Sequence, residues 1–147
     1  MASFTIEGLD SLDKTIKGLG KMKDELPKII VKVLSTIRND ILKRTTSGQS
    51  LNGGQFTPYS AGYQVFREDH HRQTSPVSLT YTGNMLRSMK VFNVSGGGEI
   101  RFDSTRANDL AVYHNEGKGR NKVREFFGLN KANLAYAERK INAGVRL

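Results

Sequence analysis

The chain has 147 residues, a length typical of one domain that buries roughly two thirds of the surface its unfolded form exposes. It contains no cysteine, which excludes a disulfide scaffold and a thiolate metal site. Its apolar runs, such as residues 29–31, are far too short to cross a bilayer, and the N-terminus lacks the pattern of a secretory signal. We therefore expect a protein made and used in solution, without a cofactor or a membrane partner.

The positive charge is concentrated near the C-terminal end. The chain carries 23 Lys and Arg against 14 Asp and Glu, a net charge of +9. Between Lys118 and Leu147, eight basic residues stand against two acidic ones, so this fifth of the chain carries +6. A localised basic field attracts nucleic acid or an acidic protein surface, and charge alone does not separate the two.

The N-terminal region has the pattern of amphipathic helices. Apolar residues recur every three or four positions from Leu12 to Ile41, which indicates one long helical face. Pro27 interrupts this face, because the residue before a proline avoids helical angles while proline suits a first helical turn. The sequence predicts one helix from about Ser11 to Glu25 and another from Pro27 to about Arg44, either bent from the first or continuous with a kink.

A polar, glycine-rich loop and a short helix follow. Residues 45–60 include Asn52-Gly53-Gly54, a composition typical of a flexible loop that orders against a neighbour. Tyr63 to His70 are predicted to form a helical turn. From Val77 to Thr82, apolar and hydroxyl side chains alternate, which predicts a half-buried strand. Thr82 or Asn84 is then expected to cap a short helix.

A β-hairpin is predicted next, because Lys90–Val94 and Glu99–Phe102 alternate apolar and polar residues on both sides of a glycine turn. Residues 103–116 are predicted to form a loop and a short helix, closed by Gly117. Its buried side is expected to carry Leu110 with Val112 or Tyr113.

The C-terminal part is predicted to contain a strand from Val123 to Leu129, followed by a helix capped by Asn130. Leu134, Ala137 and Ile141 form the inward face of that helix. The whole chain, residues 1–147, is then a single α+β domain. It consists of a proline-broken helical arm (1–46), a flexible loop region (47–75), and a small, mainly antiparallel sheet with short capped helices and a C-terminal helix (76–147).

Three patterns are candidate sites of chemistry. His70 and His71 are adjacent and have no partner at a metal-ligand spacing, which favours a solvated loop. His114-Asn115-Glu116 could hold an acid–base pair, but no nucleophile accompanies it and a helix end before a glycine is favoured. The glycine run 95–98 lacks the Lys-Ser/Thr of a phosphate loop and is interpreted as a hairpin tip. A metal-dependent hydrolase using these histidines is therefore the weakest hypothesis.

The segment Lys118 to Lys122 is the strongest candidate contact. Cations on a flexible strip can follow a phosphate backbone or an acidic subunit, and a solvated charge run is the open alternative.

Three sequence blocks carry a resemblance to a known family. They are Gly54 to Ser60 followed by Tyr63, then Leu79 to Leu86, then His114 to Gly117 leading to Arg124–Leu129. In this order and spacing they resemble the virion morphogenesis, or tail-completion, proteins of tailed bacteriophages. One departure is Val123, where family members often have proline before the arginine.

The resemblance implies a non-enzymatic structural protein of the virion, assembled in the host cytoplasm. It would complete the tail or neck as a ring of identical subunits so that head and tail join. Its partners would be further copies of itself, adjacent neck, connector or tail-tube proteins, and genomic DNA as a non-specific contact. The family implies no catalytic residue, metal or cofactor. The residues expected to meet a partner subunit or DNA are Lys118, Arg120, Lys122, Arg124, Phe56 and Tyr59. The alternative is a small basic nucleic-acid-binding protein that uses the C-terminal Lys/Arg region.

Overall fold

The structure is a computed structural model that describes residues 4–5, 22–95 and 97–145. In chain order its elements are β1 (Phe4–Thr5), α1 (Met22–Thr46), α2 (Ala61–Asp69), α3 (Asn84–Arg87), β2 (Met89–Val94), β3 (Gly97–Phe102), α4 (Thr105–Glu116) and α5 (Lys131–Val145). The mixture of helices and a small antiparallel sheet confirms the α+β prediction.

Helix α1 supports the fold because its buried face is apolar from Leu26 to Ile41. Leu26, Ile30, Leu34, Ile37 and Ile41 are at most 7% exposed, and their spacing of three or four residues aligns them along the helix. This face packs against β2 and β3, and α1 also contacts α5.

The helix α1 runs through Pro27 without ending there. Residues 25–27 are therefore not a boundary between two helices. The predicted first helix, residues 11–25, lies for its larger part outside the described residues.

The predicted hairpin is confirmed. β2 and β3 pair antiparallel with Val91 opposite Ile100, and β1 pairs with the other edge of β3, which gives the order β1-β3-β2. Gly98 allows α1 to approach β3 closely, because a Cβ atom there would lie 2.8 Å from Cδ1 of Leu34.

The predicted strand 77–82 is wrong. Val77, Ser78 and Leu79 are buried one after another, where a strand would bury every second residue. Leu79 has a φ of 53°, a left-handed conformation that ends any regular extended run. The short helix that follows is confirmed as α3. Its cap is Gly83, and the Thr82 hydroxyl accepts a hydrogen bond from the Asn84 amide at 3.3 Å.

The predicted strand 123–129 is also wrong, and the Asn115 side chain explains why. Its Oδ1 accepts hydrogen bonds from the amides of Phe126 (3.0 Å) and Phe127 (3.1 Å), and its Nδ2 donates to the Phe127 carbonyl at 2.9 Å. One side chain on α4 thus satisfies backbone groups that a strand would present to a neighbouring strand. Both phenylalanines are buried in the core.

Helix α4 and its left-handed Gly117 cap are confirmed. Its innermost residues are Ala107 and Ala111, with Leu110 partly buried, whereas Tyr113 is 44% exposed. Small side chains at these positions let the helix approach the core more closely than the predicted larger residues would.

Helix α5 is confirmed with its Asn130 cap, whose Oδ1 accepts from the Asn133 amide at 2.9 Å. Ala137 and Ile141 are buried as predicted, but Leu134 is 49% exposed. The inward position belongs to Asn133, whose Oδ1 accepts from Arg44 Nη1 at 2.8 Å and so ties α5 to α1.

The loop between α1 and α2 is confirmed as a loop and is held within the subunit. The Phe56 amide donates to the Gly48 carbonyl at 2.9 Å, and the Leu51 amide donates to the Glu125 carbonyl at 2.7 Å. The helical turn predicted at residues 63–70 is present as α2.

Candidate functional site

Helix α2, the segment 77–82 and the segment 118–124 surround a cavity of about 260 Å³, which we call the Tyr–Arg cleft. Its walls include three tyrosines and four cations: Tyr59, Tyr63, Tyr81, Arg67, Arg120, Lys122 and Arg124. No aspartate or glutamate is among the described residues that line it. Four of the predicted interaction residues, Tyr59, Arg120, Lys122 and Arg124, are thus brought together.

Arg67 is fixed at the wall of the cleft by backbone carbonyls. It is only 2% exposed, and its Nε and Nη2 donate to the carbonyls of Gln73 (2.6 Å) and Thr80 (2.8 Å). The Ser60 hydroxyl caps α2 by accepting from the Tyr63 amide at 3.4 Å, so the helix carrying Arg67 begins beside the cleft.

Arg124 is held in the same way. It is 6% exposed, and its Nε and Nη2 donate to the carbonyls of Thr57 (2.8 Å) and Pro58 (2.9 Å). Its guanidinium carbon lies 5.1 Å from the centre of the Tyr59 ring, and that of Arg67 lies 4.6 Å from the same ring. Burial lowers the pKa of Arg124, yet an arginine keeps its charge in proteins.

Both buried charges lack a carboxylate partner among the described residues, whose ion pairs are Lys28–Glu25, Arg101–Glu99 and Lys118–Glu116. Carbonyl oxygens and aromatic ring faces compensate them instead. The cleft is therefore a region of positive potential.

Two polar groups of the cleft are also unpaired within the described part of the chain. His114 Nδ1 is buried without a hydrogen bond, and burial together with Arg124 lowers the pKa of His114 to about 4, so its imidazole is neutral at pH 7. The Tyr59 hydroxyl makes no hydrogen bond of normal geometry, although the Leu79 backbone lies near enough to affect its pKa. Burial is the larger influence on Tyr59 and raises that pKa.

A groove adjoins the cleft, lined by apolar residues together with the polar residues Thr82, Asn84, Ser104 and Arg106, and we call it the apolar groove. This second cavity, of about 540 Å³, shares Tyr63, Leu79, Tyr81 and His114 with the cleft and is lined further by residues of α3 and α4. Along it lies what we call the aromatic surface, formed by Tyr63, Phe66 and Tyr81, which are 39%, 43% and 36% exposed. Contiguous exposed apolar side chains typically mark interaction sites.

The three rings of the aromatic surface are stacked on one another. Tyr63 and Phe66 have centroids 5.8 Å apart at 15°, and Phe66 and Tyr81 have centroids 6.1 Å apart at 19°. The surface is therefore an ordered row of rings.

The other predicted contact residues lie apart from the cleft lining. Phe56 is 6% exposed and belongs to the core. Lys118 is exposed and paired with Glu116 at 2.9 Å. The sequence interpretation did not include Arg67 and Tyr63 in the site. Their spacing of four residues, which places them on one face of a helix, was an available signal.

The histidines predicted to lie in a solvated loop are exposed, and His70 Nδ1 lies 2.7 Å from the Phe66 carbonyl. Within residues 4–5, 22–95 and 97–145, no three His, Asp or Glu side chains are grouped as metal ligands would be. The described helices also include none with the length and apolar character needed to cross a membrane.

Comparison with known proteins gave no match, either to a protein-family model, to a curated protein or to a solved structure.

Proposed function

We propose that this chain is a non-enzymatic structural subunit of a phage virion, which completes the tail or neck as a ring of identical subunits joining head to tail. The resemblance of three sequence blocks to tail-completion proteins supports the proposal. The observation that carries it is the outer edge of β2, which no described strand covers and where a second copy or a neighbouring protein can pair.

The pairing of β2 with β3 determines which amides and carbonyls of β2 face away from the sheet. The Asp103 amide donates to the Ser88 carbonyl at 2.9 Å, so these two residues form a hydrogen-bonded pair. In an antiparallel ladder, every second residue from Ser88 onward therefore exchanges hydrogen bonds with β3. Val91 and Asn93 fall between them and direct their amides and carbonyls away from β3. Arg38 Nε donates to the outward carbonyl of Met89 at 2.7 Å, which agrees with this alternation.

The edge is thus covered at Met89 and open at Val91 and Asn93, since no described strand lies beyond β2. Val94, at the end of the strand, is 37% exposed. Open strand edges pair readily with another chain, and identical head-to-tail contacts close into rings when the rotation allows.

The test is incorporation into particles. The chain is produced with its neighbouring structural proteins, and its presence in purified tails and virions is measured by mass spectrometry. Asn93→Pro removes an outward amide while leaving the hydrogen bonds between β2 and β3, and we expect it to abolish incorporation. Asn93→Ala keeps that amide and serves as the matched control. A chain that never enters tails or virions, even when overproduced, overturns the proposal.

The alternative is a basic nucleic-acid-binding protein, which the cations of the cleft favour. It predicts DNA binding that weakens steeply with salt and falls when Lys118, Arg120 and Lys122 become alanine. An assembly subunit loses incorporation instead. Salt titration of oligonucleotide binding, measured beside incorporation, discriminates the two functions.

A further inference from the structure

We infer that the Tyr–Arg cleft and the adjoining apolar groove together bind a segment of a neighbouring protein in which acidic side chains flank an apolar one. This inference depends on the proposed function and names the partner chemistry for it. The β2 edge, in contrast, has no part in it.

The unpaired arginine N–H groups of the cleft are suited to bind an anion. Arg67 and Arg124 each use Nε and Nη2 for backbone carbonyls, and no described residue accepts a hydrogen bond from Nη1 of either side chain. Two exposed cations, Arg120 and Lys122, stand at the same cleft. Because an arginine with free N–H groups binds a carboxylate through charge-assisted hydrogen bonds, the cleft is complementary to acidic side chains.

The apolar groove indicates that the bound segment also carries an apolar side chain. Met85, Ala107 and Leu110 line it together with the aromatic surface, so it offers contacts to an aliphatic or aromatic side chain. A peptide places such a side chain next to acidic residues, whereas nucleic acid has no aliphatic group of that kind.

The ring spacing excludes a base inserted between two rings of the aromatic surface. A base inserted between two rings needs about 6.8 Å, twice the roughly 3.4 Å step of stacked bases. The rings of the aromatic surface are 5.8 and 6.1 Å apart and already stack on each other. The cleft lining has four cations and no carboxylate among its described residues, which favours an acidic segment as the occupant.

The experiment uses the full chain and a short probe peptide in which glutamates flank a tryptophan–leucine pair. The chain contains no tryptophan, and three of its five tyrosines line the cleft, so energy transfer from tyrosine to the probe's tryptophan reports binding there. A matched peptide with glutamine at every glutamate position, and an oligothymidylate of equal charge, are the comparison probes.

We expect the double variant Arg120→Ala/Lys122→Ala to weaken binding of the glutamate peptide by about tenfold, since two exposed charge contacts together amount to about 1.4 kcal/mol. The matched control is Lys131→Ala/Lys140→Ala, which removes two exposed charges on α5, outside the cleft lining. This control should retain the affinity of the unaltered chain.

Four outcomes overturn the inference. They are no binding of the glutamate peptide, equal binding of the glutamine peptide, tighter binding of oligothymidylate, and self-association that the cleft double variant abolishes. Incorporation into particles is scored separately. Lost peptide binding with normal incorporation contradicts this inference alone, and intact peptide binding without incorporation contradicts the proposed function alone.

Discussion

Arg67 places its guanidinium carbon 4.6 Å from the centre of the Tyr59 ring, with both residues buried. The same guanidinium binds the carbonyls of Gln73 and Thr80. One side chain thus holds a segment without regular secondary structure against α2, and it shapes the wall of the Tyr–Arg cleft. The fork geometry of arginine, with donors on two nitrogens of one edge, makes both carbonyl contacts possible.

Arg67→Lys tests whether the two-donor geometry of Arg67 or its charge stabilises the fold. Lysine keeps the charge but cannot reach both carbonyls in the same geometry, so at least one charge-assisted hydrogen bond is lost. We expect the free energy of unfolding to fall by about 2 kcal/mol, measured by urea denaturation. The control is Arg72→Lys, because Arg72 is exposed and lies over the Tyr81 ring at 5.1 Å. Equal, small losses for both variants would show that the carbonyl contacts contribute little.

Asn115→Ala tests the side chain that takes the place of a strand partner. The substitution removes three hydrogen bonds to the backbone of Phe126 and Phe127, both of which are buried. Because these buried backbone groups lose the Asn115 side chain as a partner, we expect a loss of about 3 kcal/mol in the free energy of unfolding. Asn121→Ala is the control, since Asn121 is exposed and donates one bond to the Lys118 carbonyl. Thermal denaturation is the measurement. Equal melting temperatures for the two variants would refute the stabilising role of the Asn115 side chain.

These two side chains also explain which parts of the fold the sequence could predict. The β2–β3 hairpin, α3 and the Asn130 cap depend on residues within a few positions of each other, and all were predicted. The segments 77–82 and 123–129 show the alternation or apolar run of a strand, but their backbone groups bind Arg67 and Asn115 instead of another strand. Periodicity reports which side chains are apolar and carries no information about a distant hydrogen-bond partner.

The residues of the candidate site likewise fall into two groups, those that the sequence could predict and those that it could not. Arg120 and Lys122 belong to a local charge cluster and were visible in the sequence. Arg67 and Tyr81 join them only because the chain folds back on α2. Arg124 is one of the residues predicted to meet a partner, but its guanidinium lies in the wall of the cleft, bound to the carbonyls of Thr57 and Pro58. The contact that places it there spans 66 or 67 positions in the chain, beyond the range of any local pattern.

Gly98→Ala and Gly62→Ala should have opposite effects. A Cβ atom on Gly98 would lie 2.8 Å from Leu34 Cδ1 and 3.3 Å from the Phe92 carbonyl, and Leu34 is fully buried. Overpacking of this kind costs about 1–3 kcal/mol. Gly62 lies in α2 with no atom within 4 Å of the added Cβ, so alanine should stabilise the helix by about 0.5 kcal/mol. Calorimetric melting temperatures would contradict the packing between α1 and β3 if Gly98→Ala melted at or above the temperature of the unaltered chain.

His114 should make the protein less stable as the pH falls. In the folded chain, burial and then Arg124 lower its pKa from 6.5 to about 4, so between these values the unfolded state holds a proton that the native state lacks. The unfolded form is therefore favoured increasingly from pH 6.5 down to about 4, and the difference is constant below that. The full effect is about 3 kcal/mol of stability.

His114→Gln isolates this dependence, because carboxylates also titrate in part of the same range. We expect the variant to lose less stability between pH 7 and pH 4 than the unaltered chain, measured as the difference in urea midpoints at each pH. His71→Asn is the control: His71 is exposed, and asparagine tolerates its left-handed φ of 52°. If His114→Gln kept the full pH dependence, His114 would have to be protonated in the folded state. The conclusion that His114 is neutral beside Arg124 would then be wrong.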